Sequence, residues 1–217
     1  MRPFNYFLLL CTLSIAAVAF AGAPMLNVNY RLVVPPQPTE TGDKIEVIEF
    51  FYYGCPHCFA LEPYLKKWQS SAPKDVALRH IPVVFNENWV PLTKAFYALE
   101  ALGELNRLND ALYDAIHVKH QIDLRDPQTE EQTLFDWIEH QGVNRKKFID
   151  TYNSFSVNTR VEFAKNLTRA YGLEGTPTLV VDGKYLTAPS MTGSNESVIP
   201  MLQQLIDKAR QERSSKH

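Results

Sequence analysis

An α/β fold carrying an inserted all-helical block follows from three features of this 217-residue chain. A strand, a helix and a second strand succeed one another between residues 45 and 84. Residues 91–171 are helical in period nearly throughout, and β-rich runs resume after them. Strands on both sides of an all-helical stretch place it inside one α/β domain rather than appended to it. The expected division is a leader over 1–21, a first α/β part over 22–84, the helical insertion over 85–173 and a second α/β part over 174–217.

The elements follow in chain order. Residues 30–34 read as a short strand ended by Pro35, Pro36 and Pro38, which remove backbone donors. Residues 45–53 are β-rich with apolar side chains on both faces: Ile45, Val47 and Phe51 on one, Ile48, Phe50 and Tyr52 on the other. Such a strand belongs in the middle of a covered sheet. Gly54 breaks the run, Cys55 stands at a helix cap and Pro56 at the first helical position, where its missing N–H costs nothing. A helix over 57–70, stopped by Pro73, leads to a strand over 76–84, and a parallel βαβ unit results. In the helical stretch Leu105, Leu108, Leu112 and Ile116 share a face, as do Val157, Val161, Ala164, Thr168 and Tyr171. Residues 178–181, the turn Asp182-Gly183 and residues 185–187 form a hairpin. Val198, Met201, Leu202, Leu205 and Ile206 then mark a last amphipathic helix.

Composition narrows the function. Hydrophobic residues make up 45% and charged residues 21% of the chain, within the globular range. With 22 basic against 24 acidic residues there is no polyanion-seeking surface, so DNA and RNA are set aside as partners. The apolar run 7–20 follows Arg2, and Ala19-Phe20-Ala21 supplies the small residues of a cleavage site, as in a secretory signal removed after Ala21; an uncleaved membrane anchor is the alternative. Cleavage would also remove Cys11, leaving Cys55 and Cys58 in a compartment where thiols can be oxidised.

A Cys-x-x-Cys that opens a helix directly after a buried strand points to redox chemistry. At the helix start the Cys55 sulfur faces unpaired N–H groups and the positive end of the helix dipole, both of which favour a thiolate. Cys58, one turn further in, is expected to be more buried and less acidic. His57, between the two, is a candidate to tune Cys55 as imidazolium or hydrogen-bond donor. Glu49 lies in the apolar run beneath the pair; a partly desolvated carboxyl there would have a raised pKa suited to trading a proton with Cys58. Two other readings of the pair stay open. A zinc site would need two further ligands, such as His117 and His120, and a purely structural disulfide would close too short a loop to stabilise much. No metal or other cofactor is expected beyond the redox-active Cys55–Cys58 disulfide.

The run from Glu49 through Gly54-Cys55-Pro56-His57-Cys58, together with Gly175-Thr176-Pro177-Thr178 far downstream, resembles the DsbA family of periplasmic thiol:disulfide oxidants. The resemblance extends from the strand near Tyr30 to the last helix. It implies a thioredoxin-like fold interrupted by a helical domain, with Thr176-Pro177 a cis peptide beside the disulfide where the Thr176 backbone pairs with an extended substrate. It further implies unfolded, cysteine-containing exported proteins as substrates and a DsbB-like quinone-linked membrane protein as reoxidase. The best-known members carry valine where this chain has Thr176, which bears on partner preference. A disulfide isomerase or reductase on the same scaffold is the nearest rival, but the dimeric isomerases carry a sizeable N-terminal dimerisation domain, whereas the stretch before Ile45 is short; a monomer is expected. A peptide-binding chaperone with incidental cysteines is the rival from another class.

Overall fold

The structure, a computed structural model, describes residues 24–215; the signal reading of residues 1–21 and Cys11 lie outside the described residues. Strand β1 (Arg31–Leu32) is followed by β2 (Ile45–Phe51), helix α1 (Pro56–Gln69) and β3 (Val76–Pro82). Then come α2 (Val90–Ala101), α3 (Leu105–His117), α4 (Pro127–His140), α5 (Arg145–Tyr152) and α6 (Phe155–Ala170). The chain returns through β4 (Thr178–Val181), β5 (Tyr185–Thr187), the short α7 (Pro189–Thr192) and α8 (Asn195–Ser214). Among the described residues the strands form one five-stranded sheet in the order β1-β5-β4-β2-β3. β2 runs parallel to β3 and antiparallel to β4, so helices α2 to α6 lie between two strands that flank the same central neighbour.

The alternation read from residues 45–53 holds through Phe50. Ile45 and Val47 enter an apolar core with Leu61, Leu65 and the inward face of α8, whereas Ile48 and Phe50 enter a separate core with Tyr171 and Leu173. It stops at Phe51, because β2 ends there and the chain turns; Tyr52, expected opposite Phe51, shares with it and Tyr53 the core of the helical block. Other boundaries differ from expectation, beginning with β1, which covers only Arg31–Leu32 of the expected 30–34. α1 ends at Gln69, ahead of Pro73, with the Ser70 N–H bonded to the Lys66 carbonyl. β3 ends at Pro82 rather than residue 84. α8 begins at Asn195, three residues before its first apolar position, because the Ser194 side chain accepts from the Ser197 N–H and caps it.

The hairpin turn is built as expected. Asp182 and Gly183 both have positive φ, 55° and 64°, the geometry whose twist matches the flanking strands. Among the described residues, no helix is long and apolar enough to cross a membrane.

Candidate active site

Cys55 is the N-cap residue of α1, with extended backbone (φ −85°, ψ 116°), and Pro56 opens the helix. Its carbonyl accepts from the N–H groups of Cys58 and Phe59 at 3.1 and 3.2 Å. The chain reaches this cap through Gly54, where a Cβ would stand 2.5 Å from the Tyr52 ring. That ring is stacked on Trp89 with centroids 4.0 Å apart, so the turn demands a residue without a side chain.

The two sulfurs occupy opposite environments. Both are free thiols, Cys55 half-buried and Cys58 fully buried. The Cys55 thiol is lowered to about 5. The hydrogen bond from the Cys58 thiol is the largest cause; burial opposes it, and the Thr176 hydroxyl and the N–H groups of Cys58 and His57 support it. Cys58 moves the other way, well above the ordinary thiol range, first through burial, then through its bond to Cys55 and the charge of Glu49. Cys58 is the more buried of the two, as its place one turn into α1 predicts.

The Thr176–Pro177 peptide is cis, and the Thr176 carbonyl oxygen lies 3.4 Å from Cys55 Sγ. A second cis bond, Val34–Pro35, was not read from the sequence. Pro177 is buried and Thr176 half-buried. His57 is exposed, and what it brings to the Cys55 sulfur is its backbone N–H. Pro56 is exposed beside it.

Glu49 is buried in the middle of the sheet, with Leu179 of β4 on one side and His80 of β3 on the other. Its Oε2 lies 2.6 Å from His80 Nδ1, and its Oε1 has no hydrogen-bond partner among the described residues. A polar chain links this region to the helical block: the Tyr53 hydroxyl donates to Asn109 Oδ1 at 2.7 Å, and Asn109 Nδ2 donates to Glu62 Oε1 at 3.0 Å. Lys66 pairs with both Glu62 and Asp110. Burial, foremost, and the charge of Glu49 raise the Glu62 carboxyl above its ordinary range.

Sequence reading missed Glu62 and His80. Glu62 lies four residues after Cys58 on α1, so helical spacing alone could have flagged it. His80 becomes the neighbour of Glu49 only through the register of β3 on β2, which no local pattern specifies. His117, weighed as a metal ligand, instead places Nε2 2.7 Å from the Tyr53 carbonyl oxygen and stacks on Phe59.

Comparison with known proteins decides the family. The family model described as Thioredoxin matches residues 42–200. The thiol:disulfide interchange protein DsbA of Burkholderia cepacia is 39% identical over 203 residues, which cover 92% of each chain. This chain belongs to the DsbA family. The DsbA of Pseudomonas aeruginosa is 37% identical over 182 residues, 84% of each chain. Its crystal structure superposes with a TM-score of 0.80 at 34% identity, covering 88% of this chain and 97% of that one. The DsbA of Xylella fastidiosa superposes at 0.81 with 28% identity, covering 87% and 99%. Membership makes the molecule a thiol:disulfide oxidoreductase with a thioredoxin-like fold. DsbA-family chemistry runs through the protein's own cysteines.

Proposed function

We propose that this chain, after removal of residues 1–21, acts in the periplasm as a monomer that donates its Cys55–Cys58 disulfide to newly exported, unfolded proteins. The observation that carries the reading is the acidity of Cys55 set against the reluctance of Cys58 to ionise. A substrate thiolate attacks Cys55 Sγ; the S–S bond breaks, its electron pair leaves on Cys58, and Cys58 takes up a proton. A second substrate thiolate then attacks the substrate sulfur of the mixed disulfide and expels Cys55 as a thiolate. The substrate is oxidised by two electrons and the Cys55–Cys58 pair reduced by two. A stable Cys55 thiolate favours release, so electrons flow into the protein.

The residue roles follow. Cys55 is the attacked sulfur and Cys58 the resolving one. Pro56 opens the helix, His57 tunes Cys55, and Glu49 exchanges the Cys58 proton. Thr176-Pro177 holds the substrate strand by main-chain pairing. A DsbB-like quinone-linked membrane protein restores the disulfide. The division at residues 84/85 and 173/174 gives the thioredoxin-like part the chemistry and the insertion the wall behind Cys58.

Two measurements test the reading. Thiolate absorbance against pH is expected to place Cys55 near 5; a value near that of free cysteine overturns the donor role. Cys58→Ser, expressed in the native compartment, is expected to trap mixed disulfides with folding clients, and an absence of covalent adducts counts against the scheme. A reduction potential near that of thioredoxin would favour the reductase alternative.

A further inference from the structure

Cys58 must take up a proton whenever the disulfide opens, yet it is fully buried. The wall on the helical side is aromatic: Phe51 packs edge-on to Tyr53 at 5.1 Å and Tyr53 on Tyr113 at 4.8 Å. Two buried polar atoms interrupt this interior without a hydrogen-bond partner among the described residues, Glu49 Oε1 and the Tyr113 hydroxyl. The charge of Glu49 is felt at both Tyr113 and Cys58, so the three belong to one cluster. Glu49 itself is 1% exposed and cannot exchange directly with water.

One group connects that cluster to the outside. His80 is 33% exposed and binds Glu49 Oε2 through Nδ1, while its Nε2 makes no hydrogen bond among the described residues. It lines a cavity of about 330 Å³ together with Glu62, Lys66, Asn109 and Asp110. An imidazole bonded to a carboxylate through one nitrogen and open at the other can take a proton on one side and release one on the other.

We infer that His80 is the proton port of the inner cysteine, passing protons between the cavity and Glu49 as the disulfide opens and closes. The inference rests on the oxidase reading above and deepens it. His80 acts through Glu49 and is therefore a positioning residue, not a catalytic one. When substrate opens the disulfide, the proton on Glu49 Oε1 moves to the Cys58 thiolate, the neutral imidazole gives its Nδ1 proton to Oε2, and Nε2 takes one from the cavity, so one proton crosses from the cavity to the inner cysteine. Reoxidation runs the same hops backwards: the Cys58 proton returns to Oε1, Oε2 gives its proton to Nδ1, Nε2 releases one to the cavity, and Cys58 can bond to Cys55 again. The charged groups facing His80 are Glu49 from β2, Glu62 and Lys66 from α1, and Asp110 from α3. Burial works against the imidazolium, but its bond to Glu49 and the two glutamates' charges outweigh this and raise its pKa.

The test is single-turnover reduction of the oxidised protein by a reduced dicysteine peptide, followed from pH 5 to 8 in wild type, His80→Gln and His80→Ala. Glutamine can still hydrogen-bond Glu49 but cannot relay a proton, so H80Q is expected to be slowed at least about tenfold, with a flattened pH profile. H80A opens the cavity, and free imidazole is expected to restore its rate, whereas 1-methylimidazole, with one nitrogen blocked, is not. The Cys55 absorbance titration is expected to stay unchanged in both variants. H80Q reacting at the wild-type rate across this pH range overturns the inference, as does an H80A that stays slow in imidazole. A wild-type protein that fails to oxidise the peptide overturns the oxidase reading instead.

Discussion

Three buried carboxyl groups sit in different company, and the partner decides what each can do. Glu46 and Glu49 lie on opposite faces of β2, both 1% exposed. Glu46 Oε2 is held by Arg79 Nη1 at 2.9 Å and by the Glu40 N–H at 2.9 Å. A guanidinium has no proton to give near neutral pH, so that pair is a fixed tie between β2 and β3. Glu49 faces an imidazole, which gains and loses its proton in the physiological range, so the same type of side chain becomes exchangeable. Among the described residues Glu130 on α4 pairs with no cation and its Oε1 has no hydrogen-bond partner; burial raises its carboxyl to about 8, and a backbone bond at Leu92 opposes this. A buried acid is thus a tie, a relay or a neutral group according to what stands beside it.

The largest effect is expected from breaking the fixed tie. Arg79→Ala leaves Glu46 buried without its guanidinium partner and is expected to cost about 3 to 5 kcal/mol in urea unfolding. His80→Gln, which keeps a hydrogen bond to Glu49, is expected to lose much less stability.

Glu130 provides the next test, through pH. Its carboxyl holds a proton up to about 8 in the folded protein but only to the ordinary 4.5 when unfolded. The folded state therefore binds more proton at this group between those values, and the contribution of Glu130 to stability is greatest below 4.5 and falls as pH climbs towards 8. Glu130→Gln mimics the neutral acid, and unfolding midpoints at both ends of the range are expected to show on the order of 3 kcal/mol of that pH dependence removed.

A smaller change isolates one support of the outer thiolate. Thr176→Val deletes the hydroxyl that helps lower Cys55. Its absorbance titration is expected to rise by about one pH unit, about 1.4 kcal/mol, with weaker oxidising power. The smallest effect belongs to a solvated pair. Lys146 and Asp150, 85% and 61% exposed, lie 2.7 Å apart one turn along α5, and Lys146→Ala is expected to shift stability by less than about 0.5 kcal/mol.

Much of the outer half of the site was legible in the residues. Cys55 at a cap, Pro56 behind it and Gly54 before it are local statements about one turn of chain, and local sterics enforce them wherever that turn occurs. Glu49 stood out because a charge in a run that is apolar on both faces breaks its pattern. Glu46, in the same run, was passed over, because its distinction lies in Arg79 on the neighbouring strand. His57 sits between the cysteines in sequence, yet its ring is exposed; adjacency along the chain does not say which way a side chain points at the start of a helix.

By itself the chain's order of residues determined the β-α-β unit, the helical interruption, the hairpin turn and the placing of two cysteines at a helix start. Each depends on periodicity or on the backbone preferences of a few adjacent residues, and such short-range physics is carried wherever the segment goes. Only the tertiary structure decided that Cys58 would be sealed into one core with Phe51, Tyr53 and, from α3, Tyr113, that Thr176 would reach Cys55, and that His80 would become the partner of Glu49. Those outcomes follow from strand register and from packing between distant segments, and burial and charge act through distances in space rather than along the chain.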